Sequence, residues 1–309
     1  MTFNIEKFIE TYVKNITLKQ MLIVPAIFLI LSLSILSYTY ITTGSPLALG
    51  VEFSGGTVIT FESIKSPDQF KEEFKSYPLI QARKEESGNR VLLQFKQMNG
   101  IQLEEVTKKI NSEYSKVEIR QMGEVISKSL QDQALRAIIL SFLGMAIVVF
   151  IVFRTLTPSL AVVISAFADI VFAAAMMDVF GVALSLGTVA ALLMLIGYSV
   201  DTDILLTTRL LKRKGELNEK IKDAMKTGLT MTGTTLAALL ALFILSSGSV
   251  MSFIRIDIIR DISVVLIFGL IADIVNTWMT NVGILKWYIE KGGMKEKHIE
   301  KPSKKRHTA

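Results

Sequence analysis

MLIVPAIFLILSLSILSYTY, residues 21–40, is an uncharged run of twenty residues. A helix rises about 1.5 Å per residue, so this run covers about 30 Å, the thickness of a bilayer's hydrocarbon core. A cleaved leader would have a shorter apolar region followed by a small-residue cleavage site. The run therefore reads as a first spanning helix, 21–41, preceded by Lys14 and Lys19 in an N-terminal stretch, 1–20. Five further apolar runs follow, at 135–153, 160–180, 183–206, 229–245 and 262–285. Six such runs in 309 residues, half of them hydrophobic, exclude an ordinary soluble domain.

The absence of cysteine removes disulfides, thiolate metal sites and cysteine nucleophiles together. The net charge of +6 would suggest nucleic acid in a soluble chain. Here the basic residues lie in short loops and tails beside apolar runs, which points to topology and lipid headgroups instead. Arg209, Lys212, Arg213, Lys214, Lys220, Lys222 and Lys226 fall between the fourth and fifth runs, and Arg154 between the second and third. The tail 286–309 is also rich in lysine. All of these share one side if both termini are cytoplasmic, as the positive-inside rule requires. The expected place is a plasma membrane, crossed several times.

The segment 42–132 then lies outside. Alternation within 57–61 predicts a strand, with Val58 and Thr60 on one face and Ile59 and Phe61 on the other. Ser66 and Pro67 suit the N-cap and first position of a helix running to Tyr77. Residues 90–96 read as a strand, 99–114 as an amphipathic helix and 116–121 as a strand. A short strand at 79–83 completes the order β-α-β-β-α-β, a ferredoxin-like split unit. Residues 129–136 are expected to run as helix into the second span. The expected fold is an α-helical integral membrane protein: six transmembrane helices with one α+β, ferredoxin-like extracytoplasmic domain between helices 1 and 2. Residues 133–285 then form a five-helix bundle.

Four acids fall inside predicted spans: Asp169, Asp201, Asp203 and Asp273. A charge at a helix centre costs about 2.5–3.5 kcal/mol on insertion scales, so each is expected to face the bundle interior, find a partner or take up a proton. The plainer reading is a packing residue hydrogen-bonded to a nearby Ser or Thr. Asp201 and Asp203 are two apart and point about 200° from each other, so they do not share a face. Asp201 has Gly197 and Thr208 for company, Asp203 has Ser199 and Thr207, and the helix itself does not choose between them. Asp169 and Asp273 are expected to meet the fourth span near its middle. Asn276 and Asn281 add polar groups to the sixth. Arg255, Asp257, Arg260 and Asp261 precede it, either as interfacial charges or with an Arg turned inward as counter-ion. Gly55-Gly56 marks a tight turn into the first strand. His298 and His307 lie in the charged tail; no catalytic His, no metal spacing and no cofactor motif is present, so no enzyme activity and no cofactor is expected.

Three of these segments carry a resemblance. Gly50-Val51-Glu52-Phe53-Ser54-Gly55-Gly56-Thr57, just after the first span, is similar to the Gly-Ile-Asp-Phe-x-Gly-Gly-Thr signature of the SecD/SecF protein-export family. Gly197-Tyr198-Ser199-Val200-Asp201-Thr202-Asp203-Ile204 resembles the fourth-helix Gly-Tyr-Ser-Ile-Asn-Asp-Thr-Ile segment of its SecF branch, and Ile259-Arg260-Asp261 the start of that branch's last helix. The resemblance spans nearly the whole chain. It implies pairing with SecD into a twelve-helix unit related to the resistance-nodulation-division transporters. It also implies association with the SecY channel complex, contact with translocating polypeptide and membrane lipid, and cation movement through fourth-helix carboxylates with the Arg260 position taking part. No nucleic-acid partner is implied. The chain departs from the family where Thr202 replaces the key Asp of bacterial SecF. Asp201 falls where SecD has its Asp, which ranks Asp201 first and Asp203 second. Asp169 matches the family's His-Asp-Val segment, but Ala168 stands in place of its His. The Asp-Thr-Asp variant is more like archaeal members, for which no motor ATPase of the bacterial type is implied. Two other functions stay open: export of a small molecule or lipid by a member of the related transporter superfamily, and a non-catalytic scaffold of the translocase.

Overall fold

A computed structural model describes residues 5–84, 89–247 and 256–291. Arg255, His298, His307 and most of the basic tail lie outside the described residues.

Helix α1 (Ile5–Asn15) precedes α2 (Leu18–Thr43), whose N-cap Thr17 exchanges hydrogen bonds with Gln20 and whose C-cap is the left-handed Gly44. A one-turn helix α3 (Val51–Ser54) leads into β1 (Gly56–Glu62). Next come α4 (Pro67–Glu73), β2 (Leu79–Lys84), β3 (Arg90–Phe95), α5 (Gly100–Glu113) and β4 (Glu118–Met122). The strands form one antiparallel sheet in the order β2-β3-β1-β4, with Ile59 opposite Leu93 on one side and Ile119 on the other. The split along β1 is clean. Ile59 and Phe61 join Phe70, Phe74, Val106 and Ile110 in the core under α4 and α5, while Val58 packs with Val51 and Leu92 on the opposite face. The strand at 79–83 exists. The helix expected to reach Tyr77 stops at Glu73, in keeping with the bias of a residue before proline, here Pro78, away from helix.

The rest of the described chain is helical: α6 (Glu124–Phe153), α7 (Leu156–Val179), α8 (Leu186–Lys212), α9 (Leu217–Ser246) and α10 (Asp257–Val275). A π-helical turn (Asn276–Asn281) follows, continuous with α11 (Val282–Glu290). Among the described residues, five helices, α2 and α6 to α9, are long and apolar enough to cross a membrane. The run at 262–285 is not one uniform helix, being broken by the π turn. The other helices extend past the apolar runs that announced them: α6 begins at Glu124, α8 ends at Lys212 and α9 begins at Leu217. The N-terminal stretch, read from sequence only as a tail, contains α1, with Ile9 and Val13 buried against Leu210, Ile221 and Trp278. Helices α7, α8 and α10 pack on one another at the centre, while α2 and α6 expose apolar side chains outward.

The sheet is tied to one end of this bundle. Gly50 N–H donates to the Leu184 carbonyl (2.8 Å) and Leu184 N–H to that of Ala48 (2.7 Å), joining the chain after α2 to the α7–α8 loop. Asp178 Oδ1 accepts from Ala48 N–H (3.2 Å), Arg83 Nη1 donates to the Gly181 carbonyl (2.6 Å), and Arg90 pairs with Asp257 (3.4 Å). Gly56 makes the turn into β1 possible: its φ is +95°, and a Cβ there would lie 2.2 Å from the Phe95 carbonyl oxygen. Gly56→Ala is expected to destabilise the sheet by more than the roughly 1–3 kcal/mol of a strained φ alone. Limited proteolysis of the purified protein should show earlier cleavage between β1 and β4, with the helical fragments unchanged.

Candidate functional site

The centre of the bundle holds three buried acids, Asp169 on α7, Asp203 on α8 and Asp273 on α10. Ser199 Oγ donates to Asp169 Oδ2 (2.5 Å) and Asn276 Nδ2 to Asp169 Oδ1 (2.7 Å). Asp203 Oδ1 accepts from Thr277 Oγ1 (2.8 Å) and Asn281 Nδ2 (2.8 Å). Thr277 Oγ1 is also 3.0 Å from Asp273 Oδ1. Ser199 and Asp203 are four apart on α8 and so share a face, which brings the Asp169 and Asp203 groups side by side.

The π turn makes this arrangement possible. In an α-helix, Asn276 and Asn281 would point about 140° apart at 100° per residue. The wider turn lets both reach acids, with Thr277 between them. Such turns recur at functional sites.

Thr277 is placed between two carboxyls with a single hydroxyl proton. That proton goes to one carboxyl at a time or is divided between them, so Asp203 and Asp273 compete for one donor. Asp203 Oδ2 and Asp273 Oδ2 have no hydrogen-bond partner among the described residues. The ligand set is all oxygen and amide, suited to a proton or a hard monovalent cation. No group of three or more His, Cys, Asp or Glu among the described residues is arranged to hold a metal ion.

Of the sequence candidates, Asp169, Asp203 and Asp273 come together, and Ser199 joins them. Asp201 does not. It lies on the exposed side of α8, in line with Leu186, Ala190, Met194, Gly197 and Tyr198. Arg260 is also elsewhere. It pairs with Asp261 (2.9 Å) and lies thirteen residues before Asp273 on the same helix, about 20 Å away along the axis. The residues Gly50, Glu52, Phe53, Gly55 and Gly56 form the joint between α2 and the sheet. Phe53 is buried and its carbonyl accepts from the Gln131 side chain of α6, and Glu52 lies 3.9 Å from Arg120. Sequence reasoning noticed Asn276 and Asn281 only as polar groups and passed over Thr277.

Thr277→Val keeps the shape and removes the hydroxyl, leaving Asp273 without its bond and Asp203 with one. A buried polar group left unsatisfied costs about 1–3 kcal/mol. The variant is expected to unfold at lower temperature in detergent, and Thr277→Ser to recover most of the loss.

Comparison with known proteins agrees with this architecture. The family described as protein export membrane protein SecD/SecF, C-terminal, matches residues 102–291. The protein-export membrane protein SecF of Methanolacinia petrolearia is 50% identical over 275 residues, covering 89% of this chain and 95% of its own. That of Pyrococcus furiosus is 42% identical over 288 residues, covering 90% and 93%. The crystal structure of SecDF from Thermus thermophilus, described as a translocon-associated membrane protein, superposes with a TM-score of 0.70 at 20% identity. It covers 93% of this chain, which spans 39% of that one, and at this identity the likeness is one of fold. With relatives this similar over nearly their whole length, and a family match running from the sheet's last helix through α11, the chain belongs to the SecD/SecF family of protein-export membrane proteins.

Proposed function

We propose that this chain is a SecF-type accessory subunit of the Sec translocase, promoting export of polypeptides across the plasma membrane and coupled to a proton or sodium gradient. The observation that carries the coupling is the Thr277 oxygen shared by Asp203 and Asp273 beside Asp169. A cluster that holds a proton between acids on different helices ties any gain or loss of charge to how α7, α8 and α10 pack. Asp203, rather than Asp201, is the first candidate for carrying the cation.

In this reading the last helix, α10 through α11, is the sixth span, and the sheet with α4 and α5 is a ferredoxin-like domain on the extracytoplasmic side. Both termini are cytoplasmic. The orientation is supported by the basic α8–α9 connection and the first turns of α9, whose Lys222 meets Glu10 of α1 (2.6 Å) at the end opposite the sheet. Partnership with SecD is supported by the α8 stripe. An aspartate facing hydrocarbon costs about 2.5–3.5 kcal/mol, so Asp201, with Gly197 and Tyr198 beside it, calls for another protein's helix over this face. The SecY channel complex, translocating polypeptide and membrane lipid complete the expected partners. Nothing in this mechanism makes or breaks a covalent bond in a substrate, so the chain is not an enzyme.

Export of a lipid or other amphiphile is a second reading, favoured by one feature. A cleft of about 790 Å³, in the size range of ligand pockets, opens between the end of β2 and the ends of α9 and α10, lined by Arg83, Phe180, Phe243, Arg260 and Phe268 among others.

The test is export of a signal-bearing reporter in cells lacking the native gene and complemented with variants, with and without an uncoupler. Asp203→Asn is expected to lose the gradient-dependent increment and fall to the level of uncomplemented cells, while still co-purifying with SecD. Asp201→Asn is expected to weaken SecD recovery first. Full gradient-dependent export by the double variant would end the coupling proposal and leave the scaffold role. Efflux of an amphiphile without any export defect would favour the second reading.

A further inference from the structure

The π turn has two sides. One side serves the acids through Asn276, Thr277 and Asn281. The other meets α1, the helix at the basic-loop end of the bundle. In an α-helix Val282 N–H would bond the Trp278 carbonyl. Here it is bonded to the Thr277 and Met279 carbonyls instead. The Trp278 carbonyl accepts from Tyr12 Oη on α1, at 2.9 Å. A side chain from α1 thus supplies a donor to the carbonyl that the change of register deprives of its usual one.

The surroundings hold this contact in place. Trp278 is fully buried, and its indole lies so close to α9 that a Cβ at Gly228 would come within 2.4 Å of it. Ile9 and Val13 of α1 lie in the same apolar cluster as Trp278, Leu206, Leu210 and Val282. Lys222 on α9 pairs with Glu10 on α1 at 2.6 Å. Burial pushes the Tyr12 hydroxyl up to about 12, so it remains a donor at neutral pH.

We propose that Tyr12 and Trp278 are positioning residues for the buried acids: α1, docked on the π turn, holds it in register and so sets the hydrogen bonds to Asp169, Asp203 and Asp273. The converse follows from reciprocity of coupling. A change at the acids that loosens Asn276, Thr277 or Asn281 favours ordinary α register, in which Val282 takes back the Trp278 carbonyl and Tyr12 gives up this hydrogen bond. Helix α1 is then a lever at the bundle's basic end that senses the state of the site. This rests on the reading of the acid cluster as the working site, but its test does not depend on export.

The chain has no cysteine, so a single engineered pair reports on α1 without background. Glu10→Cys with Lys222→Cys is cross-linked by mild oxidation in native membranes, and the rate is followed on gels. It is measured in the otherwise native chain and with Asp203→Asn, Tyr12→Phe or, as an exposed carboxyl removed from α6 away from the π turn, Asp132→Asn. Loss of one neutral hydrogen bond changes a docking equilibrium about fivefold. Asp203→Asn and Tyr12→Phe are each expected to change the rate by about that factor, and Asp132→Asn to leave it as it was. Equal rates in the native and Asp203→Asn backgrounds, or an equal change with Asp132→Asn, would overturn the proposal.

A second readout guards against variants that merely fold poorly. Labelling of buried carboxyls by a hydrophobic carbodiimide, located by peptide mass spectrometry, is compared between the native chain and Tyr12→Phe. A changed division of label among Asp169, Asp203 and Asp273, in protein with unchanged melting temperature, is the expected result. An unchanged division would refute the positioning role. If export requires Asp203 while cross-linking ignores it, the coupling to α1 falls alone. If cross-linking responds and export does not need Asp203, the coupling stands and the export reading falls.

Discussion

Three carboxyls sit in the bundle where side chains, not water, surround them, and burying such groups is costly unless they are paired and hydrogen-bonded. Much of the helical architecture can be understood from that requirement. Asp169 needs a donor from α8 and finds Ser199. Asp203 needs donors from the last helix, and two come from Thr277 and Asn281. Because Asn276 must serve Asp169 at the same time, the last helix widens into a π turn. The turn displaces a backbone hydrogen bond, and the freed carbonyl is taken up by Tyr12. Demand for polar partners at the centre is thereby passed outward to a helix at the end of the bundle.

The apolar runs made the helices legible, because a span must be apolar for as long as the bilayer is thick. They could not mark where helices stop. Hydrocarbon ends, but hydrogen bonding along the helix does not, so α9 begins at Leu217 although its apolar run starts at 229, and α6 reaches back to Glu124. The outer strands were readable from alternation, and β2 from the need for a fourth strand beside β3. Helix α1 was missed although apolar residues recur at 5, 8, 9, 12 and 13, a helical period. A short charged segment before a span looks like a tail until tertiary packing supplies its partner.

The site was half legible. Acids in apolar runs announce themselves: four were picked out, and the structure brings three of them, Asp169, Asp203 and Asp273, together while leaving Asp201 outside. Which acid on α8 turns inward was not readable, because Asp201 and Asp203 each have small or polar neighbours on their own face. Packing decides it: Ser199 and Asp203 face α7 and the last helix, while Asp201 shares a stripe with Gly197 and Tyr198 that none of the described residues covers. The π turn has no period in sequence to betray it. Its one trace was a pair of asparagines five apart in an apolar run, a spacing that fits no single α-helical face.

Where the acid cluster meets the outer sheet follows from chain connectivity. Asp169 lies about 15 Å below the end of α7 at Val179, and Asp203 about 25 Å below the start of α8 at Leu186. One loop joins those two ends, and its Leu184 is the residue that hydrogen-bonds Gly50 and Ala48 at the root of the sheet. Gly181 of the same loop accepts from Arg83 at the sheet's edge. Any sliding of α7 against α8 that follows a change in charge at the acids must therefore be taken up in the loop that holds the sheet. On the sheet's other flank, α6 runs unbroken from Glu124 to Phe153 and is fastened near its start by Gln131 to the Phe53 carbonyl. The glycine-rich motif at 50–56 lies between these two attachments. Its glycines let the backbone pass close to Leu184 on one side and Phe95 on the other, so this short segment holds the sheet against the bundle at closer range than a side chain there would allow.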